Sequence, residues 1–199
     1  MKRIASTLLL TALLLCTTSV VFAAEEYDID SGHSFVGFTV KHMGVSSVRG
    51  EFKEFTADLQ VDGENLLSST IVLTIQAASI DTRDERRDEH LRSADFFAVE
   101  TYPEIVFKSK KIEPGDAGQY KATGDLTLKG TTREVVLDLE INGPIKDPWG
   151  NYRVGTEGGV TIDRQDYGVN FSRVMDNGGL VVGDDVKISF ALEAARKAE

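Results

Sequence analysis

Apolar and polar positions alternate along most of this chain with a period of two. In Ser34–His42, the residues Val36, Phe38, Val40 and His42 share one face. Ile71, Leu73 and Ile75 do the same in Thr70–Gln76, and Ile105 and Phe107 in Ile105–Lys111. Tyr120, Ala122, Gly124, Leu126 and Leu128 alternate with Lys121, Thr123, Asp125, Thr127 and Lys129. Val135, Leu137, Leu139 and Ile141 form another such set, and Val186, Ile188, Phe190 and Leu192 another. Extended stretches also cover Val48–Val61 and Asn151–Asp163. Runs of this kind are strands with one apolar and one wet face, which suits antiparallel sheets. Turn residues separate them, at Asp62-Gly63, Pro114-Gly115-Asp116, Lys129-Gly130-Thr131, Asn142-Gly143-Pro144, Asp147-Pro148-Trp149-Gly150 and Asp176-Asn177-Gly178-Gly179. About eight strands with short connections predict an all-β fold, either a sandwich or an up-and-down barrel. A barrel of that strand number can hold one small ligand.

One segment departs from the alternation. Thr82 followed three residues later by Glu85 is a capping-box signature. It predicts a short, highly charged helix from about Arg83 to Ser93, with Phe96, Phe97 and Tyr102 following at once. The N-terminus differs again. Lys2 and Arg3 precede an apolar run from Ile4 to Leu15, and Val21 and Ala23 supply small residues before a cut. This is the pattern of a secretory signal peptide over residues 1–23, cleaved after Ala23. The apolar run is short for a membrane span. Residues 24–199 then form one domain.

Composition narrows the chemistry. Asp and Glu number 32 against 22 Lys and Arg, a formal net charge of -10. That balance argues against sequence-independent nucleic-acid binding and against docking on anionic membranes. No stable membrane insertion is expected. The one cysteine, Cys16, lies in the leader behind Leu15, where a lipoprotein site wants a small residue. The exported chain therefore has no thiol for catalysis or disulfides.

His33, His42 and His90 are the only histidines, and the first two bracket one predicted strand, so no zinc-ligand spacing emerges. Asp81, Asp84, Asp88 and Asp163 could lie near Arg83, Arg87, Arg153 or Arg164, most simply as neutralised charge networks. No Gly-x-Ser-x-Gly elbow is present. No catalytic residue, metal or cofactor is expected. Gly124 falls in the apolar register of its strand, where a missing side chain leaves room for a bulky neighbour or for a ligand.

Five ordered stretches carry a resemblance: HSFVGFTVKHMGVSSVRGEF at 33–52, ASIDTRDERRDEHLRSADFF at 78–97, YPEIVFKS at 102–109, GDLTLKGTTREVVL at 124–137 and IDRQDYGV at 162–169. Together the sequence resembles the YceI-like family, bacterial lipid-binding proteins with a lipocalin-like barrel. The resemblance implies an up-and-down antiparallel barrel that binds a polyisoprenoid or similar amphiphile in its interior. It also implies export in many members, so the expected location is the periplasm and the expected role is binding, storage or transport of the lipid. An enzyme acting on an isoprenoid or quinone-type lipid, and an exported stress-response interaction protein, are the alternatives. The residues expected to line the tunnel are Phe38, Val40, Phe52, Leu73, Ile75, Phe107, Leu126, Leu128, Leu137, Ile188 and Phe190. Arg83, Arg86, Arg87 and His90 are the head-group candidates. An exposed sheet edge or an apolar mouth would allow a homodimer.

Overall fold

The computed structural model describes residues 24–176 and 178–197; the expected leader lies outside them. Eleven strands and one α-helix follow in chain order. They are β1 (Glu25–Ile29), β2 (Phe35–His42), β3 (Ser46–Phe52), β4 (Phe55–Val61), β5 (Thr70–Gln76), β6 (Ile80–Asp81), α1 (Glu85–Arg92), β7 (Glu104–Pro114), β8 (Tyr120–Leu128), β9 (Thr131–Lys146), β10 (Tyr152–Asp163) and β11 (Val182–Arg196). The pairing is antiparallel throughout, and β1 pairs with β11 to close the sheet.

The short strands combine into longer staves. β1 and β2 lie end to end along β11, and β4 and β3 lie end to end along β1 and β2. β5 and β6 continue the same way along β4 and β3. With β7 to β11 this makes an eight-staved, up-and-down barrel, so the barrel rather than the sandwich is the realised alternative. Closure removes the long free edge on which a second copy could pair. One end carries α1, the β2–β3 and β8–β9 turns and the segment between β10 and β11. The other end carries the segments joining β4 to β5, β7 to β8 and β9 to β10. Among the described residues, no helix is long and apolar enough to cross a membrane.

Three local features differ from the sequence reading or escaped it. The helix begins later than the capping-box reading implies. Asp84 is its N-cap, accepting from the Arg87 N–H at 3.1 Å. Thr82 instead donates its hydroxyl to the buried Asp88 at 2.5 Å, and Arg83 between them has a left-handed backbone, φ 64°. A carboxylate beside the first free N–H groups is as good a cap as a hydroxyl. Second, Asn142-Gly143-Pro144 is not a turn. It lies within β9, where Gly143 takes φ 97° and the β9–β10 register shifts by a residue between Arg153 and Gly155. Third, β1 has only Tyr27 and Ile29 as inward apolar residues among acidic neighbours, too short a pattern to stand out in the sequence.

Candidate functional site

The inward face of the barrel encloses a cavity of about 230 Å³. Period-two alternation creates its wall, because every second side chain of each stave points to the axis. All of the expected lining residues are there: Phe38, Val40, Phe52, Leu73, Ile75, Phe107, Leu126, Leu128, Leu137, Ile188 and Phe190. The atoms facing the cavity are carbon almost throughout. Along β10 the wall runs from Val154 to Ile162, eight strand steps of about 3.3 Å, or ~26 Å of strand. At a barrel tilt of 35–45° this corresponds to roughly 20 Å along the axis.

Glycines keep the bore open by letting rings lie flat on the wall. A Cβ at Gly124 would lie 2.5 Å from Phe107 Cζ, and one at Gly50 would lie 2.5 Å from Phe38 Cζ. Gly124 therefore makes room for a bulky neighbour, Phe107. Phe38 in turn packs on Phe52 at 6.0 Å between centroids, and Phe52 meets Phe97 edge-on at 6.0 Å. Phe rings thus sheathe the wall near α1 rather than meeting across the axis.

The head-group candidates stand outside this cavity. Arg86, Arg87 and His90, with Asp84, border a shallow cleft on the surface of α1. The Arg87 guanidinium donates to Thr82 Oγ1 and to the Thr82 carbonyl, at 2.7 and 2.8 Å. His90 pairs with Asp95 at 3.0 Å and meets Phe96 and Phe171 edge-on. Arg83 is exposed and does not border the cleft. From α1 itself only Leu91 reaches the cavity wall, followed by Phe96 and Phe97.

Arg164 was not anticipated as a wall residue. It is 4% exposed and lines the cavity with its aliphatic stem, while its guanidinium donates to the Val169, Gly183 and Val182 carbonyls and to Asp184. The charge is thereby fully engaged, as a buried cation must be. No periodic signal marks it, because it opens a 3-10 turn just beyond β10. Leu66 was missed for the same reason: it lies in the short 3-10 turn Leu66–Ser68 and still lines the cavity.

The remaining ionisable clusters are on the outside. Asp30, His33 and Glu193 bring ligand atoms within 4.8 Å of one another. The Arg153 guanidinium already bridges Asp30 and Glu193, at 3.0 and 2.5 Å, and also binds Asp147 at 2.9 Å. Burial acts to raise the Asp147 carboxyl. The Arg153 guanidinium and the N–H groups of Asn151 and Trp149 outweigh it and hold the group at about 2. Of the expected neighbours, Asp81 accepts from the Arg83 N–H at 2.7 Å and Asp84 from the Arg87 N–H, but among the described residues no ion pair joins Asp81, Asp84, Asp88 or Asp163 to an arginine side chain; Asp81 binds Lys53 at 3.6 Å, and Asp88 binds Thr82. At the end away from α1, Tyr27 is 1% exposed and its hydroxyl has no hydrogen-bond partner among the described residues. Burial raises its pKa.

Comparison with known proteins agrees with this geometry. The YceI-like domain matches residues 27–194. A UPF0312 protein of Photorhabdus laumondii is 42% identical over 156 residues, which cover 78% of this chain and 81% of that protein. The crystal structure of the Campylobacter jejuni YCEI protein superposes with a TM-score of 0.69 at 29% identity, covering 96% of this chain and 100% of that one. A polyisoprenoid binding domain from Saccharophagus degradans shares the fold, with a TM-score of 0.63 at 16% identity over 87% of this chain and 99% of that one. A domain match spanning nearly all of the described residues, and a relative this similar over most of both chains, establish descent as well as shape: the chain belongs to the YceI-like family.

Proposed function

We propose that this protein binds one long apolar chain, of the polyisoprenoid or a similar amphiphilic type, inside its barrel, as an exported carrier or store and not as a catalyst. The observation that carries the reading is the carbon-lined cavity running along the inside of a closed sheet. Such a wall offers a ligand burial and almost no hydrogen bonds. Burying hydrocarbon is worth about 0.8 kcal/mol per methylene-sized group before the costs of ordering the chain. A five-carbon unit is therefore worth a few kcal/mol, roughly 4 gross, and a run of units gains in proportion to the length enclosed. A polar head group gains nothing inside and stays at the surface.

The same wall argues against chemistry. General acid–base catalysis needs a titratable group within hydrogen-bond reach of the reacting atom. Arg164 is the one charged residue among those lining the cavity, and its donors are turned to backbone carbonyls and Asp184. The shared fold with a polyisoprenoid binding domain supports the ligand class. The leader-like residues 1–23 support export to the periplasm.

Titration with a polyprenyl compound tests the reading. Wild type should take up the compound, and Leu126→Arg and Leu128→Glu should abolish uptake, because each puts a charge in a hydrocarbon wall. A folded Leu126→Arg variant with unchanged uptake would remove the cavity from the account. Arg86→Ala together with His90→Ala reports on the head group. Weakened binding places the head group beside α1, and unchanged binding places it elsewhere.

A further inference from the structure

The two ends of the barrel are closed in different ways. The α1 end is fastened to the sheet. Asp88 accepts from the N–H and hydroxyl of Thr82, and Arg92 donates to the Ala78 and Ile80 carbonyls at 2.9 and 3.1 Å. Lys129 reaches the Ala94 carbonyl and Arg133 the Asp166 carbonyl. The buried Arg164 ties the neighbouring segment to the start of β11. Moving this cover breaks several hydrogen bonds to the sheet and its neighbours, among them the buried Thr82–Asp88 pair.

The cover at the opposite end is the segment 62–69 between β4 and β5. Its hydrogen bonds are its own. The Glu64 and Asn65 N–H groups donate to Asp62, Asn65 donates its side-chain amide to Ser68, and the Ser68 and Ser69 N–H groups donate to the Asn65 and Leu66 carbonyls. The Asp62 N–H donates to Ser69 Oγ at 3.1 Å and so closes the neck of the loop. Among the described residues, 63–68 make no hydrogen bond to anything outside 62–69. A compact loop with joined ends and its own bonding moves as a unit. What holds it down is packing alone: the Leu66 side chain enters the cavity wall, and the turn Leu66–Ser68 lies against β7. The flanking Ser69 and the exposed Thr70 also line the cavity, so the wall reaches the surface at this loop.

We infer that the ligand enters and leaves the barrel under segment 62–69, with Leu66 as the gating residue, and that the α1 end stays shut. The inference rests on the lipid reading of the cavity and adds its direction. Tail-first passage leaves the head group at the loop end, away from Arg86 and His90. Lifting the loop exposes Leu66 and breaks no hydrogen bond to the barrel.

The rates of uptake and release of a fluorescent polyene fatty acid by the full chain test this. Leu66→Ala should accelerate both rates about tenfold, which corresponds to ~1.4 kcal/mol off the opening step. Ser69→Ala, which removes the neck hydrogen bond, should act in the same direction. Arg92→Ala, which loosens the α1 cover without touching the cavity wall, should leave the rates within about twofold. Unchanged rates in Leu66→Ala, or acceleration by Arg92→Ala alone, would overturn the inference. If wild type takes up no lipid at all, the cavity reading fails first. Hydrogen exchange of the empty protein then decides the lid by itself. The Asn65, Ser68 and Ser69 amides should exchange well before those of β8 and α1, and equal protection of the loop and β8 would contradict it.

Discussion

Gly50→Ala separates an open bore from an ordinary packed core. In β3 this glycine faces inward opposite Phe38 of β2. An added Cβ would lie 2.5 and 2.6 Å from Phe38 Cζ and Cε1 and 2.9 Å from Thr82 Cγ2, with no backbone atom among its three nearest neighbours. Carbon atoms rest at about 3.5–4.0 Å, so the Phe38 ring must retreat by about 1 Å or more. Phe52 stands on one side of the ring, so the free direction is into the cavity. Overpacking typically costs 1–3 kcal/mol, about 2 here, and the stiffer unfolded chain returns ~0.4–1 kcal/mol. The net loss of about 1 kcal/mol should lower Tm by roughly 2–4 °C, a folded protein by any measure. Lipid capacity should fall far more than stability does, because the displaced ring occupies the space the chain needs. Quantifying bound polyprenyl compound after gel filtration gives the first number, and thermal unfolding gives the second. Gly50→Ala combined with Phe38→Leu should recover capacity. Full loading of the single variant, or no recovery in the double, would refute the claim that Phe38 lies flat to keep the bore clear.

Three further outcomes follow from the charges and the unpaired hydroxyl. Asp184→Ala leaves the buried Arg164 without its counter-charge, so urea unfolding should show a loss of about 3 kcal/mol. Tyr27→Phe removes a buried hydroxyl that bonds to nothing among the described residues, and stability should stay level or rise by up to ~1 kcal/mol; a loss of 2 kcal/mol or so would mean that the hydroxyl has a partner. The Asp147 carboxyl is held at about 2, below its unfolded value near 4, so its contribution is complete above pH ~4 and is lost as the pH falls towards ~2. Asp147→Asn should be less stable at pH 7 and should flatten the stability profile across that window, as read by urea unfolding at pH 7, 4 and 2.

Most of the barrel could be read in the sequence, because a half-buried antiparallel strand writes its two faces as alternating residues. Val36, Phe38 and Val40 or Leu126 and Leu128 needed no structure to be placed inward. The pattern failed where another local force prevailed. Asn142-Gly143-Pro144 has turn chemistry, yet the long ladder between β9 and β10 continues past it by a register shift. Thr82 has the spacing of a capping box, yet its hydroxyl serves the buried Asp88 and leaves the cap to Asp84. Whether the inward residues fill a core or surround a space was not legible in the alternation, since Leu73 or Phe107 looks the same in either case; only the family resemblance implied a tunnel. The distinction depends on where the rings rest, and that is set by inward glycines such as Gly50 and Gly124 on neighbouring strands. Leu66 and Arg164 belong to 3-10 turns, where neither period applies, so their place in the wall follows only from the closed barrel.

On the proposed function, the barrel is built around a greasy guest. Solvent extraction and mass spectrometry of the protein purified from a membrane-containing host test this most directly. About one long-chain apolar amphiphile per protein is expected, lost from a folded Leu126→Arg variant. Wild-type protein that carries no such molecule, and acquires none when offered polyprenyl compounds, would contradict it.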